Sequence, residues 1–243
     1  MSEAAALFPP AVFRRASCGG LTTRVAGIEA VLCASGAVYL IGSSVLIVAD
    51  LHLEKGSSYA ARGQMLPPYD TRDTLGRLEA EVDRRNPAVT VLLGDSFHDG
   101  KAEGRMHESD VARIEALAAR TALIWVVGNH DADGPRFLPG AVRDTLNVDG
   151  LDLVHEPSPH PVRGELAGHL HPASKVRGYA RSVRARCFLT DGERMILPAF
   201  GAYAGGLNVR DRAFAGLFSG ALTACALGRG RVHALTWAAL IGD

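Results

Sequence analysis

Three short runs of apolar, mostly branched residues set the terms for this chain. Residues 45–49 read Val-Leu-Ile-Val-Ala, 89–93 Val-Thr-Val-Leu-Leu and 123–127 Leu-Ile-Trp-Val-Val. Each has the length of a fully buried strand and is short for a buried helix. Each then breaks straight into polar residues: Asp50-Leu51-His52, Gly94-Asp95 and Gly128-Asn129-His130-Asp131. Strands buried on both faces belong to parallel sheets covered by helices, and such sheets collect ligands at the carboxyl ends of their strands.

The stretches between these runs agree. Residues 70–85 predict a helix capped by Asp70-Thr71, with Leu75, Leu78 and Val82 on one face and Asn86-Pro87 as its stop. A second helix is expected over 108–119, with Val111, Ile114, Leu117 and Ala118 at core spacing. Ser35-Gly36 between 28–33 and 37–41 reads as a hairpin turn. From residue 140 the pattern changes to short strands at 141–146, 151–154, 165–168, 184–189 and 194–198. A last hairpin, 222–227 with 231–237, turns at Gly228-Arg229-Gly230. Alternating β and α units followed by strand-rich sequence predict an α/β fold, two sheets with helices outside. No repeat is visible in the 243 residues. We expect one domain over 21–243 behind a loose extension at 1–20.

Composition removes several functions. Lys and Arg total 26, as do Asp and Glu, so bulk electrostatics cannot hold this chain to nucleic acid, though a local basic groove can. Cys18, Cys33, Cys187 and Cys225 are scattered without a CxxC pair. That fits a reduced cytosolic interior and argues against a disulfide scaffold or a cysteine zinc site. No apolar run approaches the roughly 18–20 residues that cross a bilayer. Arg14-Arg15 has the look of a twin-arginine signal, but the following Ala-Ser-Cys-Gly-Gly-Leu-Thr-Thr is too polar to serve as one. A cytoplasmic location is expected.

Two later strands also end in candidate ligands, His155 after Leu-Asp-Leu-Val and Gly168-His169-Leu170-His171 after Glu-Leu-Ala. Imidazole, carboxylate and amide oxygen suit borderline-to-hard divalent metals. Gly94, Gly128 and Gly168 each precede ligand-type residues, where a missing side chain lets backbone turn tightly. Taken singly, Asp50, Asp95 and Asn129 read as turn or strand-end caps and His155 as a strand histidine. Taken together with His52, His169 and His171, they read as a metal set.

Asp-x-His, Gly-Asp, Gly-Asn-His-Asp, His and Gly-His-x-His, in that order, resemble the calcineurin-like metallophosphoesterase superfamily. Ala-Asp-Leu-His-Leu-Glu-Lys-Gly from Ala49, Leu-Gly-Asp-Ser-Phe-His-Asp from Leu93, Gly-His-Leu-His-Pro from Gly168 and Leu-Pro-Ala-Phe-Gly-Ala-Tyr-Ala-Gly-Gly-Leu-Asn from Leu197 resemble the bacterial DNA-ligase-associated metallophosphoesterases, over roughly 28–215. The resemblance implies a four-layer α-β-β-α sandwich of two mixed sheets. It also implies two divalent ions, manganese first with zinc or iron as alternatives, bridged by Asp95. Asp50, His52 and His171 would hold one ion, and Asn129, His155 and His169 the other. His130 would face the substrate phosphate, with Asp131 orienting it. The implied activity is that of a hydrolase, a two-metal phosphodiesterase serving as a DNA-repair endonuclease. Association with a DNA ligase and helicase rests on resemblance alone, and the oligomeric state stays open. The reaction explains the inventory, because an anionic diester repels hydroxide. Two cations about 3.5–4 Å apart neutralise charge and lower the pKa of water.

Around this set, His98 and Lys55 are candidates for binding substrate, each with a solvated or supporting role as the simpler alternative. His98 stands where purple acid phosphatases carry a tyrosine, which argues against their ferric chemistry. His107, His160 and His233 fit no motif. The run from Gly94 to Lys101 imitates a nucleotide-binding loop but is one residue too long, with Ala102 in place of a hydroxyl residue. Ser96 fails as a nucleophile elbow because His98 replaces the closing glycine. His155 and His169 lie only 14 residues apart, leaving no room for a cap domain. Six basic residues against one acidic between 162 and 190 could line a phosphate track or sit on solvated strands. Competing readings are a phosphomonoesterase or nucleotide pyrophosphatase of the same fold, and a metal-free protein-binding scaffold.

Overall fold

The computed structural model describes residues 12–64, 66–67, 69–179 and 181–243. Its first sheet takes eight strands in chain order: β1 (Arg14–Arg15), β2 (Leu21–Val25), β3 (Ile28–Leu32), β4 (Val38–Leu40), β5 (Val45–Ala49), β6 (Val89–Leu93), β7 (Ala122–Val126) and β8 (Ala141–Arg143). The strands up to β5 form an antiparallel meander, and β5 to β8 run parallel. Parallel neighbours need crossovers. Those from β5 to β6 and from β6 to β7 contain the helices α1 (Lys55–Ala60), α2 (Asp70–Arg85) and α3 (Glu108–Ala118). Ala49 pairs with Leu93 and Leu93 with Val126, so three strand ends finish level.

The second sheet holds β9 (Leu146–Val148), β10 (Leu151–Val154), β11 (Glu165–Ala167), β12 (Pro172–Arg177), β13 (Ser182–Thr190), β14 (Met195–Ile196), β15 (Leu207–Asn208), β16 (Thr223–Gly228) and β17 (Arg231–Thr236). The order is β15-β12-β13-β14-β11-β10-β9, with β16 also pairing with β13 and β17 with β16. β10, β11 and β14 are parallel, so the sheet is mixed. After β14 the chain hooks onto β5: Phe200 N donates to Ala49 O at 2.7 Å. The two sheets are thereby joined at the rim where the polar motifs sit.

Period-two burial explains the continuous apolar runs. On β5, Val45, Ile47 and Ala49 face a core between the sheets with Val91, Leu153, Leu166 and Phe188. Leu46 and Val48 face the helices, against Leu75, Leu78, Val82, Ile114 and Leu117. Both faces of the strand are thus dry, as in parallel sheets. The outer face of the second sheet buries Cys187, Leu189 and Ile196 with Phe214, Leu217 and Leu240. Short 3-10 turns at Arg212–Phe214 and Trp237–Ala239 supply its cover. The architecture is the expected α/β one, two mixed sheets face to face with helical elements outside.

Local details depart from expectation. Asp70 is the first residue of α2 rather than its cap, and its carboxylate accepts from Gly56 N at 2.9 Å, fastening α1 to α2. Asn86 ends α2 in the left-handed conformation, φ 46°. His107, outside every motif, caps α3 by accepting from Ser109 N. Of the expected loose extension, residues 1–11 lie outside the described residues. Arg14–Arg15 pair with β2, and Gly19 O accepts from Val232 N at 2.9 Å, because the edge of β2 offers unpaired backbone. No helix among the described residues is long and apolar enough to cross a membrane.

Candidate metal centre

Beyond the level strand ends the chain turns left-handed at five candidate residues. Positive φ occurs at Asp50 (54°), His52 (45°), Asp95 (44°), His169 (68°) and His171 (46°). Each costs on the order of 1 kcal/mol for a residue with a Cβ. An extended chain would hold side chains i and i+2 about 7 Å apart along the strand. Curled, the chain brings them together. The turns are over-determined by hydrogen bonds: Asp50 N to Gly94 O at 3.2 Å, His52 N to Asp95 O at 2.9 Å, and Leu53 N to Ser96 O at 2.9 Å. Across the sheets, His169 N donates to the Asp50 carboxylate at 3.0 Å. Three glycines leave no room for a side chain. A Cβ on Gly94 would come within 2.0 Å of His155 Nδ1, one on Gly128 within 2.2 Å of Asp95 Oδ1, and one on Gly168 within 2.6 Å of Asp50 Oδ2.

The side chains form two adjoining triads, Asp50 with His52 and His171, and Asp95 with His155 and His169. Within each triad the donor atoms all lie within 4.8 Å of one another. His52 Nε2 is 3.3 Å from His171 Nε2, which is 3.3 Å from Asp50 Oδ1. His155 Nε2 is 3.1 Å from His169 Nδ1 and 3.0 Å from Asn129 Oδ1, so Asn129 joins the second triad. Asp95 lies between the two. Its Oδ1 is 3.4 Å from His155 Nε2, and its Oδ2 is 4.0 Å from His52 Nε2. Asp50 is wholly buried, with Asp95, His52 and His155 nearly so. Burial first, then the neighbouring imidazoles and Lys55, push the His52 pKa down to about 2, so its ring stays neutral and keeps a lone pair to offer.

These donors fit divalent cations. They comprise imidazoles, two carboxylates and an amide oxygen, with no thiolate.

His130 stands at the mouth, its side chain 42% exposed and its Nε2 3.9 Å from Asp95 Oδ2. Its Nδ1 lies 3.0 Å from the carbonyl oxygen of His98, which fixes the ring with Nε2 toward the pit. Among the described residues no hydrogen bond joins the Asp131 carboxylate to the His130 ring. That carboxylate accepts from Gly128 N at 2.8 Å, Ser96 N at 2.7 Å and Phe97 N at 3.2 Å, clamping the loops after β6 and β7 together. Burial holds its pKa above the ordinary carboxylate range, opposed by those N–H groups. The His98 ring stacks on His130, centroids 5.7 Å apart, and burial followed by Lys55 and His130 lowers its pKa. Lys55 donates Nζ to Tyr203 O at 3.1 Å, so it secures the loop after β14 while lending positive charge to the pit.

Sequence reasoning missed the support beneath. Buried Glu54 accepts from Thr71 Oγ1 at 2.9 Å and Ser57 Oγ at 2.5 Å, while its N–H donates to Thr71 Oγ1 at 2.8 Å. Arg105 grips both oxygens of Asp99, whose carboxyl is held well below its usual range. Nothing in residue spacing signals either clamp. Most of the basic run is already occupied. Arg163 pairs with Glu193, Arg186 donates to backbone carbonyls at 199–201, and Asp243 lies 3.5 Å from both Lys175 and Arg184.

A family model, calcineurin-like phosphoesterase, matches residues 43–185. Among solved structures, the nuclease MPE of Pseudomonas putida is similar with a TM-score of 0.68 and 26% identity, over 89% of this chain and 100% of that one. YfcE, a phosphoesterase from E. coli, matches at 14% identity and a TM-score of 0.38, over 79% and 98% of the two chains, a likeness too slight to build on. No curated protein matches significantly.

Proposed function

This chain belongs to the calcineurin-like phosphoesterase family and hydrolyses phosphate esters, and from that premise we propose that it is a two-metal phosphodiesterase cleaving nucleic acid, with DNA the favoured substrate. One observation carries the two-metal part: Asp95 turns one carboxylate oxygen to each histidine triad. The nucleic-acid part is supported by likeness to a protein described as a nuclease, at 26% identity over the whole of that chain. A repair role as an endonuclease beside a DNA ligase and helicase rests on the subfamily resemblance.

Asp50, His52 and His171 would hold one cation and Asn129, His155 and His169 the other, with Asp95 shared and manganese the first choice. When bound, the pair neutralises the diester and makes hydroxide available near neutral pH. The buried carboxylates and the imidazoles of the chain fix where that charge sits. His130, tethered through Nδ1 to the His98 carbonyl, presents Nε2 to the phosphate. Protonated there, it stabilises developing charge or gives its proton to the leaving oxygen.

The test compares bis(p-nitrophenyl) phosphate, a phosphomonoester and single-stranded DNA with manganese added. Both diesters should turn over, and Asp95→Ala should abolish the activity. Undiminished turnover in that variant, or a monoester outpacing both diesters, would overturn the reading.

A further inference from the structure

β12 and β13 run on past the sandwich. Their register pairs Ala173 with Arg186, Lys175 with Arg184 and Arg177 with Ser182, and Gly178 N donates to Arg181 O at 3.1 Å at the turn. Residues 172–174 are buried, 175 and 176 half-buried, and Arg177, Tyr179 and residues 181–184 exposed. The tip of the hairpin is therefore open to solvent, while Lys175, Val176 and Arg184 beneath it are tied to the C-terminal residues 240–243. On β13, Phe188 faces the core between the sheets, whereas Cys187 and Leu189 face the outer cluster. Side chains alternate along a strand, and cross-strand partners share a face. Arg186, Arg184 and Ser182 thus continue the inner face of Phe188, joined by Lys175 and Arg177. Val176 lies on the other face, packed against the outer cluster and bridged to Leu240. The basic side is turned toward the first sheet, and β12 starts immediately after His171.

Asp243 engages Lys175 and Arg184. Arg177 and Arg181 have no acidic partner among the described residues, and between them Tyr179 is fully exposed. Six residues of strand place this tip about 20 Å along the chain from His171. Two free guanidinium groups flanking an uncovered aromatic ring match one ligand chemistry closely, a single strand of nucleic acid. Its phosphates answer the cations, and its unpaired bases offer a face for stacking.

We propose that the hairpin of β12 and β13 is a guide arm that holds the substrate strand to one side of the cleaved phosphate, Arg177 and Arg181 on the backbone and Tyr179 against a base. The assignment rests on the nucleic-acid reading above. All three side chains are exposed, so replacing them leaves the fold intact.

The test uses the full chain with fluorescein-labelled single-stranded DNA of 15 and of 3 nucleotides, followed by anisotropy in chelator. Turnover of bis(p-nitrophenyl) phosphate with manganese is measured in parallel. Tyr179→Ala should weaken 15-mer binding about tenfold. The pair Arg177→Ala and Arg181→Ala should reduce the slope of log affinity against log salt by about 1.4. Neither change should alter 3-mer binding or diester turnover. Tyr179→Trp should keep wild-type affinity, with an emission that the 15-mer quenches. Variants matching the wild type on the 15-mer would overturn the arm while leaving the nucleic-acid reading standing. So would an equal loss on the 3-mer and the diester. A wild-type protein that hydrolyses the diester yet neither binds nor cleaves DNA would overturn both.

Discussion

Asp131 and His130 are neighbours in sequence with opposite surroundings. The first is buried and gives its carboxylate to three backbone N–H groups, while the second is open at the mouth of the pit. Asp131→Asn puts an NH2 group against at least one of those donors, and breaking charge-assisted bonds in a buried site costs about 3 kcal/mol. Its melting temperature should fall and metal content should fall with it. His130→Ala touches no such framework. It should keep the wild-type melting temperature and metal content while turnover drops at least about a hundredfold. Thermal melts and metal analysis on both variants separate the roles. Wild-type stability in Asp131→Asn with activity lost would return that residue to orienting chemistry.

At the scale of elements, legibility followed burial. The strands β5, β6 and β7 were readable because dryness on both faces demands unbroken apolar runs, and their ends led directly to Asp50, Asp95 and Asn129. The α2 stripe of Leu75, Leu78 and Val82 was readable for the same reason. β12 was not, since only its first half is buried and its second half, Lys175 to Arg177, grades from half-buried to exposed, so no unbroken apolar run marks it. α1 has six residues, too few for a helical period, and buries only Gly56 and Ser58. Its position depends on tertiary hydrogen bonds from Glu54, Thr71 and Asp70 that no local pattern reveals. Thr71→Val is nearly isosteric and removes both bonds to Glu54, leaving a buried N–H and a carboxylate oxygen short of partners. Unfolding in urea should show a loss of about 2 kcal/mol. A variant as stable as the wild type would mean that Glu54 is held by other contacts.

At the scale of the molecule, the proposed ligands come from both sheets. Asp50, His52, Asp95 and Asn129 follow strands of the first, and His155, His169 and His171 follow strands of the second. Cations in that pit would bind only the folded chain, so they add stability by mass action, about 4 kcal/mol for one site at a thousandfold excess over its Kd. Acid opposes this from two directions. Ligand imidazoles that take a proton release metal. The metal-free fold also weakens, because the His52 pKa of about 2 lies far below the ordinary histidine value of 6.5. Below about pH 6.5 the unfolded chain takes a proton that the folded chain refuses. The contribution of His52 is therefore complete above that pH and lost as pH falls toward 2, by up to about 1.4 kcal/mol per unit. Melting of manganese-loaded and chelated protein should differ widely at pH 7.5 and converge near pH 5, with the chelated form itself less stable at the lower pH. In His52→Gln the chelated protein should show a flatter pH dependence. A gap between loaded and chelated forms that persists undiminished at pH 5 would mean that the ions do not depend on these imidazoles.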